Sequence, residues 1–416
     1  MDVQERVVLD DQTAQVAAHR KRGLFFLGAA VAAVGFAMTS QLALNSNFVA
    51  DTMGLDGRQQ GFLEMARESC GVVAFGLLAL MAGLAEPLIA SAMLMLLAVG
   101  LSFYSFVPNL PWLIIASLVW SQGLHIWMPL PNSMTLALAE PGQAGRRLGQ
   151  ISAAGAAGAG CALVVALVLH KIGLPIRPLW LVAAGAALLA AAACLGIPRQ
   201  IKTPGPRLVF RRKYSLYYLL SFLDGWRKQI FIAFAGFLLV KNYKTPLTTM
   251  LILFMCMQLV GWLMAPVVGR LIDRVGERRV LVFYYASMTL LFIGYAMIRN
   301  VHILYALFVA DSAFFLCTMA LTTYVNRIAP PSEHTPTLSL GVAANHIAAV
   351  LMPLVGGLLW KSLGYQWTFW VGASVAAASI FAAICVPRHL PRAIPLDDDP
   401  GLRANLIRLP NTMEDT

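Results

Sequence analysis

Long apolar runs separated by short polar breaks dominate the chain. A bilayer's hydrocarbon core is about 30 Å thick, so a helix that spans it needs about 20 mostly apolar residues. Twelve runs reach that length: 23–45, 61–82, 88–108, 112–134, 148–170, 175–197, 215–240, 246–268, 279–299, 301–326, 337–360 and 366–386. Each predicts a membrane-spanning helix. The breaks carry helix-stopping chemistry at Pro87, Pro108, Pro111, Pro141-Gly142, Pro175, Pro330-Pro331 and Gly364. The longest break between runs, 198–214, holds Arg211-Arg212-Lys213 and divides the runs six and six. The predicted organisation is a polar N-tail (1–22), a six-helix bundle (23–197), a basic central loop (198–214), a second six-helix bundle (215–386) and a polar C-tail (387–416) that includes Asp397-Asp398-Asp399.

Composition agrees with this reading. Of 416 residues, 59% are hydrophobic and 12% charged, against about 25% charged in a soluble domain. The net charge of +11 would raise nucleic acid as a partner for a soluble chain. Here the basic residues follow topology instead. With both termini placed in the cytoplasm, the inner segments carry 21 Lys and Arg and the outer ones 7, while Arg67, Arg227 and Lys228 fall inside runs. That is the positive-inside pattern of a multi-pass protein, with a plasma (inner) membrane as its expected location. The bilayer is then the macromolecular partner, and no nucleic acid is expected. Cys70, Cys161, Cys194, Cys256, Cys317 and Cys385 lie in apolar runs without CxxC or Cys/His spacing, so no metal site is expected. The first run is too long for the core of a signal peptide. No zincin, nucleophile-elbow or Walker A pattern occurs. The chain therefore reads as a non-enzyme without a cofactor, driven by an ion gradient rather than by ATP.

Six plus six suggests an internal duplication. A shift of 187 residues brings Glu86-Pro87 onto Asp273-Arg274, and a shift of 192 brings Leu148-Gly149 onto Leu340-Gly341. After the eighth run the chain reads Gly269-Arg270-Leu271-Ile272-Asp273-Arg274-Val275-Gly276-Glu277-Arg278-Arg279. This resembles the G-x-L-x-D-R-x-G-x-R-R signature of the major facilitator superfamily, which lies after helix 2 and recurs after helix 8. In this chain the second copy is nearly complete. The first, Gly83-Leu84-Ala85-Glu86-Pro87, keeps only the small residue, the leucine and an acid. The resemblance implies an all-α integral membrane protein of twelve helices in two pseudo-symmetric six-helix bundles. It further implies that Gly269, Asp273, Arg274, Gly276 and Arg278 belong to a cytoplasmic gate in which Asp273 and Arg274 latch helix ends. On residues alone, Asp273 is placed to accept from free N–H groups at a helix N-terminus, and a basic inner loop with one capping acid explains the same residues without a latch.

Ionisable groups inside a membrane are costly and point to function. In the seventh run Asp224, Arg227 and Lys228 stand at i, i+3 and i+4, on one helical face, and Asp311 lies mid-way along the tenth. The resemblance places helices 1, 4, 7 and 10 around a central cavity. These four charges then form a neutral set that binds solute or exchanges a proton, or else a static bridge between two helices. Glu64, Arg67 and Glu68 in the second run are either an interfacial cluster that snorkels to water or an outer gate. His125 and His346 can titrate near neutral pH or simply pack. Gln41, Asn45 and Asn47 either line a cavity or mark a helix end. Gly149, Gly155, Gly158 and Gly160 in the fifth run predict close helix packing.

The expected function is alternating-access, proton-coupled transport of a small polar solute by a monomer. Arg227 and Lys228 tilt the solute towards an anion or zwitterion, with Asp224 or Asp311 carrying the proton. The alternatives are an exporter of lipophilic or cationic compounds, kept open by Trp120, Trp127 and Trp226, and a membrane receptor or scaffold that does not transport.

Overall fold

The computed structural model describes residues 3–81, 83–140, 143–202 and 210–388. The Pro141-Gly142 break, residues 203–209 of the central loop and the C-tail beyond 388 lie outside the described residues. Twelve helical segments follow one another: α1 (Val3–Asn47, continued as a π-turn Phe48–Thr52), α2 (Gly57–Leu80), α3 (Glu86–Phe103), α4 (Leu110–Trp127, continued as Leu130–Leu138), α5 (Ala144–Lys171) and α6 (Ile176–Cys194), then α7 (Ser215–Ile230, a π-turn Phe231–Ala235 and Gly236–Lys241), α8 (Leu247–Val275), α9 (Glu277–Met297), α10 (Val301–Phe315, a 3₁₀ turn Leu316–Thr318 and Met319–Ile328), α11 (Pro331–Leu363) and α12 (Tyr365–Ile384). Ten are long and apolar enough to cross a membrane by length and composition. The other two, α2 and α7, each carry three charged residues in their interiors (Glu64, Arg67, Glu68; Asp224, Arg227, Lys228). The outward surface is apolar: Trp262 is 75% exposed, Phe381 73% and Leu290 70%. Lipid solvates such a surface, whereas in water apolar patches of this kind are rare.

Two boundaries differ from the sequence expectation. The N-tail expected over 1–22 is helical from Val3 and runs unbroken into α1. It contains no Gly or Pro before Gly23, so no strong helix breaker stops the helix. The signature segment Gly269–Val275, expected as a loop, forms the last two turns of α8, and the turn itself is one residue, Gly276, at φ +85°. Only glycine takes that backbone conformation without strain.

The duplication is in register at 191 residues. Asn109 caps α4 through Trp112 N–H, and Asn300 caps α10 through His302 N–H. Gly173 (φ +97°) closes α5 and Gly364 (φ +98°) closes α11. Glu86 opens α3 and Glu277 opens α9. The members of each pair are 191 residues apart. This register corrects the pairing of Glu86 with Asp273: the structural counterpart of Glu86 is Glu277. Both acids are buried, and each reaches the end of the following helix. Ser133 Oγ donates to Glu86 Oε1 at 2.7 Å, and Arg327 Nε pairs with Glu277 Oε1 at 2.7 Å.

The chain forms two compact units. The first is residues 1–206 with 236–255, the second 207–235 with 256–416. Segment 236–255 thus belongs with the first six helices. There Asn47 Nδ2 donates to Thr245 O at 3.0 Å, and Lys241 Nζ donates to Gly54 O at 3.2 Å. Small residues bring helices together within each unit. A Cβ on Gly158 of α5 would lie 1.9 Å from the Ala32 carbonyl of α1, and one on Gly225 of α7 would lie 2.4 Å from the Asn345 carbonyl of α11. Gly149 and Gly160 face open space, so only part of the glycine series makes the close approach.

In the second unit, Glu333 at the start of α11 receives Lys213 Nζ at 2.8 Å, Arg211 Nη1 at 3.4 Å and the Tyr214 hydroxyl at 2.5 Å. Burial works to raise its pKa, but the Lys213 and Tyr214 hydrogen bonds prevail and hold the carboxyl below the ordinary value of 4.5. A depressed carboxylate adds stability above its unfolded pKa and loses it as pH falls through its folded pKa. The clasp is mostly solvent-facing, so its contribution is under about 1 kcal/mol. The melting temperature of the native chain is expected to exceed that of Glu333→Gln slightly at neutral pH, and the two are expected to converge as pH falls through the lowered folded-state pKa of Glu333.

Candidate functional site

Each unit buries a charged cluster built on one guanidinium and two carboxylates. In the second unit the guanidinium is Arg227 on α7, with no solvent exposure. Its Nε lies 3.5 Å from Asp224 Oδ1, one turn back on the same helix, and its Nη1 lies 3.3 Å from Asp311 Oδ1 on α10. Tyr284 of α9 donates its hydroxyl to Asp224 Oδ1 at 2.6 Å. The guanidinium also stands over the rings of Tyr284 and Phe315, at 5.4 Å from each centroid. Asp224 lies nine residues from the start of α7, about 14 Å at 1.5 Å per residue, deep within the helix. Gly225 makes this arrangement possible: without a side chain it lets α11 close on α7 beside the cluster.

Lys228 does not join this set. It is half-buried and turns to α11, donating to Asn345 Oδ1 at 3.1 Å. Asn345 Nδ2 in turn donates to Ser221 O at 3.2 Å. The four-charge neutral set expected from sequence therefore divides. Asp224, Arg227 and Asp311 carry −1, and Lys228 carries +1 on a neighbouring face. Polar atoms without a partner among the described residues lie by the triad: Arg227 Nη2 and the hydroxyls of Tyr285 and Tyr295. Buried polar groups are otherwise nearly always satisfied, so these are donors and acceptors available to a bound molecule or water.

In the first unit the guanidinium is Arg67 on α2. It donates from Nη1 to Glu64 Oε1 at 3.2 Å and from Nη2 to Glu68 Oε1 at 3.1 Å. Asn45 of α1 and Gln60 also donate to Glu64 Oε1, at 3.4 and 3.3 Å. Arg67 stands over the Trp120 ring at 5.8 Å, and Trp120 Nε1 donates to the Tyr104 hydroxyl at 3.2 Å. Glu64, Arg67 and Glu68 are 1%, 7% and 8% exposed. The snorkelling reading of these residues is thereby corrected: they point into the helix bundle, where pairing replaces water. Gln41 is buried on α1, with Nε2 unpartnered among the described residues. His125 is half-buried on α4, its Nδ1 2.8 Å from Ser121 O and 3.1 Å from Ser121 Oγ. His346 is buried on α11.

The signature residues occupy one end of the second unit. Asp273 and Arg274 are exposed, and neither has an ion-pair partner among the described residues. Gly269 is not a close-approach position, since a Cβ there would meet nothing within 4 Å. The acid that pairs at this end is Glu277, with Arg327 of α10. Gly276 makes the turn, and Arg278 is half-buried after it.

Sequence reasoning found both guanidiniums and all four carboxylates. It missed Tyr284 and Tyr285, which complete the second cluster, Asn345, which holds Lys228, and Tyr104, which joins the first beside Trp120. A tyrosine pair in the middle of an apolar run was the available signal for α9. Glu277 was hidden inside the signature as a variable position.

A family profile for the Major Facilitator Superfamily matches residues 217–408. A curated relative from Didymella fabae, the "Ascochitine biosynthesis cluster MFS transporter", is 25% identical over 177 residues, which is 42% of this chain and 34% of that protein. The match thus spans about a third of the relative's length. Among solved structures, the nucleoside transporter NupG superposes with a TM-score of 0.72 at 16% identity, covering 87% of this chain and 98% of that one. The bacterial homologue of the human lysosomal transporter Spinster, in an inward-facing and occupied conformation, gives 0.66 at 12% identity, covering 89% and 97%. Twelve helices in a 191-residue repeat, with paired charges buried in the helices, define a polytopic membrane protein. Residues 217–408 are thus similar to the major facilitator superfamily, and the fold of the chain is that of these solved transporters.

Proposed function

We propose that this protein is a proton-coupled secondary transporter of a small polar solute, and that the Asp224–Arg227–Asp311 triad couples solute to proton. The triad carries the reading. Two carboxylates on separate helices share one fully buried guanidinium. A proton on either aspartate makes the set neutral, and its loss restores one negative charge. A set that changes charge by one proton between two helices can bias an alternating-access cycle. The unpartnered groups on Arg227, Tyr285 and Tyr295 supply the hydrogen bonds a polar solute needs.

Within the anionic or zwitterionic class the geometry favours a zwitterion. Arg227 is already occupied by two carboxylates, so a simple anion would have to displace one of them. Among the described residues Lys228 has only a neutral amide partner, Asn345, and can take a carboxylate while an ammonium meets the aspartates. One observation favours the rival, an exporter of cations: each unit's cluster has a carboxylate in excess. A thermal-shift panel separates the two, because a ligand stabilises only the state it binds. Amino acids, nucleosides, organic anions and lipophilic cations are compared on the native chain, Lys228→Ala and Asp224→Asn. A zwitterion is expected to stabilise the native chain and, through the remaining Asp311, Asp224→Asn, but not Lys228→Ala. Stabilisation by lipophilic cations alone, unchanged in Lys228→Ala, would replace this reading with the exporter.

A further inference from the structure

A second site lies in the second unit, away from the triad. A cavity of about 1030 Å³ opens where the α8–α9 turn meets the ends of α10 and α12. Four arginines line it: Arg278 and Arg279 at the start of α9, Arg327 at the end of α10 and Arg388 after α12. Glu277, the only acid among the described lining residues, is held by Arg327 at 2.7 Å, so those residues carry a net +3. Gly276, which precedes α9, gives the helix no side-chain cap. The free N–H groups of its first turn and its dipole therefore add to the positive field. The remaining wall is apolar, with Val282, Phe283 and Ile384 among it.

Two features indicate what would fill this cavity. Arginine forks match phosphate oxygens in bidentate geometry. The apolar wall continues outward: Phe283, Leu290 and Met297 recur at heptad spacing along α9 and are 51%, 70% and 62% exposed. A phosphate in the cavity would thus lie at the head of an apolar stripe that lipid covers. A freely soluble phosphate has no use for that stripe; a lipid headgroup with its acyl chains uses both. Basic pockets between helix ends on the cytoplasmic side suit anionic lipids, and the basic ends of α8, α9 and α10 are those the charge bias assigns to the cytoplasm. We propose that this cavity binds the phosphate of an anionic phospholipid, with its acyl chains along α9. Through Gly276, Arg278 and Arg279 the lipid would brace the α8–α9 turn, giving the signature segment a role that does not require Asp273 to be paired.

The test uses the purified full chain in phosphatidylcholine nanodiscs. Phosphatidylglycerol is titrated in, and its retention is read by native mass spectrometry alongside the melting temperature. Arg278→Gln/Arg279→Gln is compared with Arg20→Gln/Lys21→Gln, which removes equal charge from α1. At roughly fivefold per arginine near an anionic surface, the first double variant is expected to lose about thirtyfold in lipid affinity and the second almost nothing. Arg388→Gln, exposed at the end of α12, is expected to lose about fivefold, and carries the test if the double variant does not fold. Equal phosphatidylglycerol affinity in all variants would overturn the proposal. So would protection by millimolar inorganic phosphate equal to that by the lipid, which would make the occupant a soluble anion.

Discussion

Replacing Arg227 with methionine is expected to lower stability by about 3–5 kcal/mol, the range seen when one partner of a buried ion pair is removed. The substitution keeps most of the side-chain volume. It leaves Asp224 and Asp311 facing each other's charge with, among the described residues, only the Tyr284 hydroxyl as a donor. The loss is therefore electrostatic, and neutralising what remains should reverse it: adding Asp224→Asn and Asp311→Asn to Arg227→Met is expected to recover most of the melting temperature. Single and triple variants compared by thermal unfolding in detergent make the check. If Arg227→Met melts within a degree or so of the native chain, the guanidinium is not what holds α7 to α10.

The second large effect is steric and reverses sign within one turn of α5. Gly158→Ala puts a methyl group 1.9 Å from the Ala32 carbonyl. The obstacle is backbone, so α1 and α5 must separate. Overpacking of this kind costs roughly 1–3 kcal/mol, and the upper end applies because no side chain can rotate away. Gly160→Ala, two residues on, meets nothing within 4 Å. It is expected to leave stability unchanged or raise it by up to about 1 kcal/mol, since alanine is the better helix former. The same methyl group thus destabilises at one position and not at the other. Melting temperatures of the two variants decide it; equal losses would mean that α1 and α5 do not pack through Gly158.

Much of this protein is legible in its sequence because lipid imposes a simple rule on it. Twelve apolar runs had to become twelve helices, since a backbone in hydrocarbon has no other way to satisfy its polar groups. The charges in α2 and α7 were visible for the converse reason: nothing tolerates them there without partners. Pattern could not show which partners they take. Asp224, Arg227 and Lys228 share a helical face by spacing, yet Arg227 pairs towards α10 while Lys228 turns to α11. That choice depends on Gly225 letting α11 approach, a contact between residues 120 apart. The signature segment shows the same limit. Its residues carry the resemblance to the family, but helix propensity carries α8 through Asp273 to Val275, and burial selects Glu277 rather than Asp273 as the paired acid. The repeat was found within a few residues of its true register, because caps and left-handed glycines are fixed by backbone geometry and adjacent acids are not.

The most direct test of the central claim is solute accumulation in proteoliposomes under an imposed pH gradient, made with whichever solute stabilises the native chain. The native protein is expected to accumulate solute against its gradient. Asp311→Asn and Asp224→Asn are expected to lose accumulation while still exchanging labelled for unlabelled solute at equilibrium, because binding and rocking survive when the proton site is removed. Undiminished pH-driven accumulation in both variants would contradict the account and leave the triad as a static brace between α7 and α10.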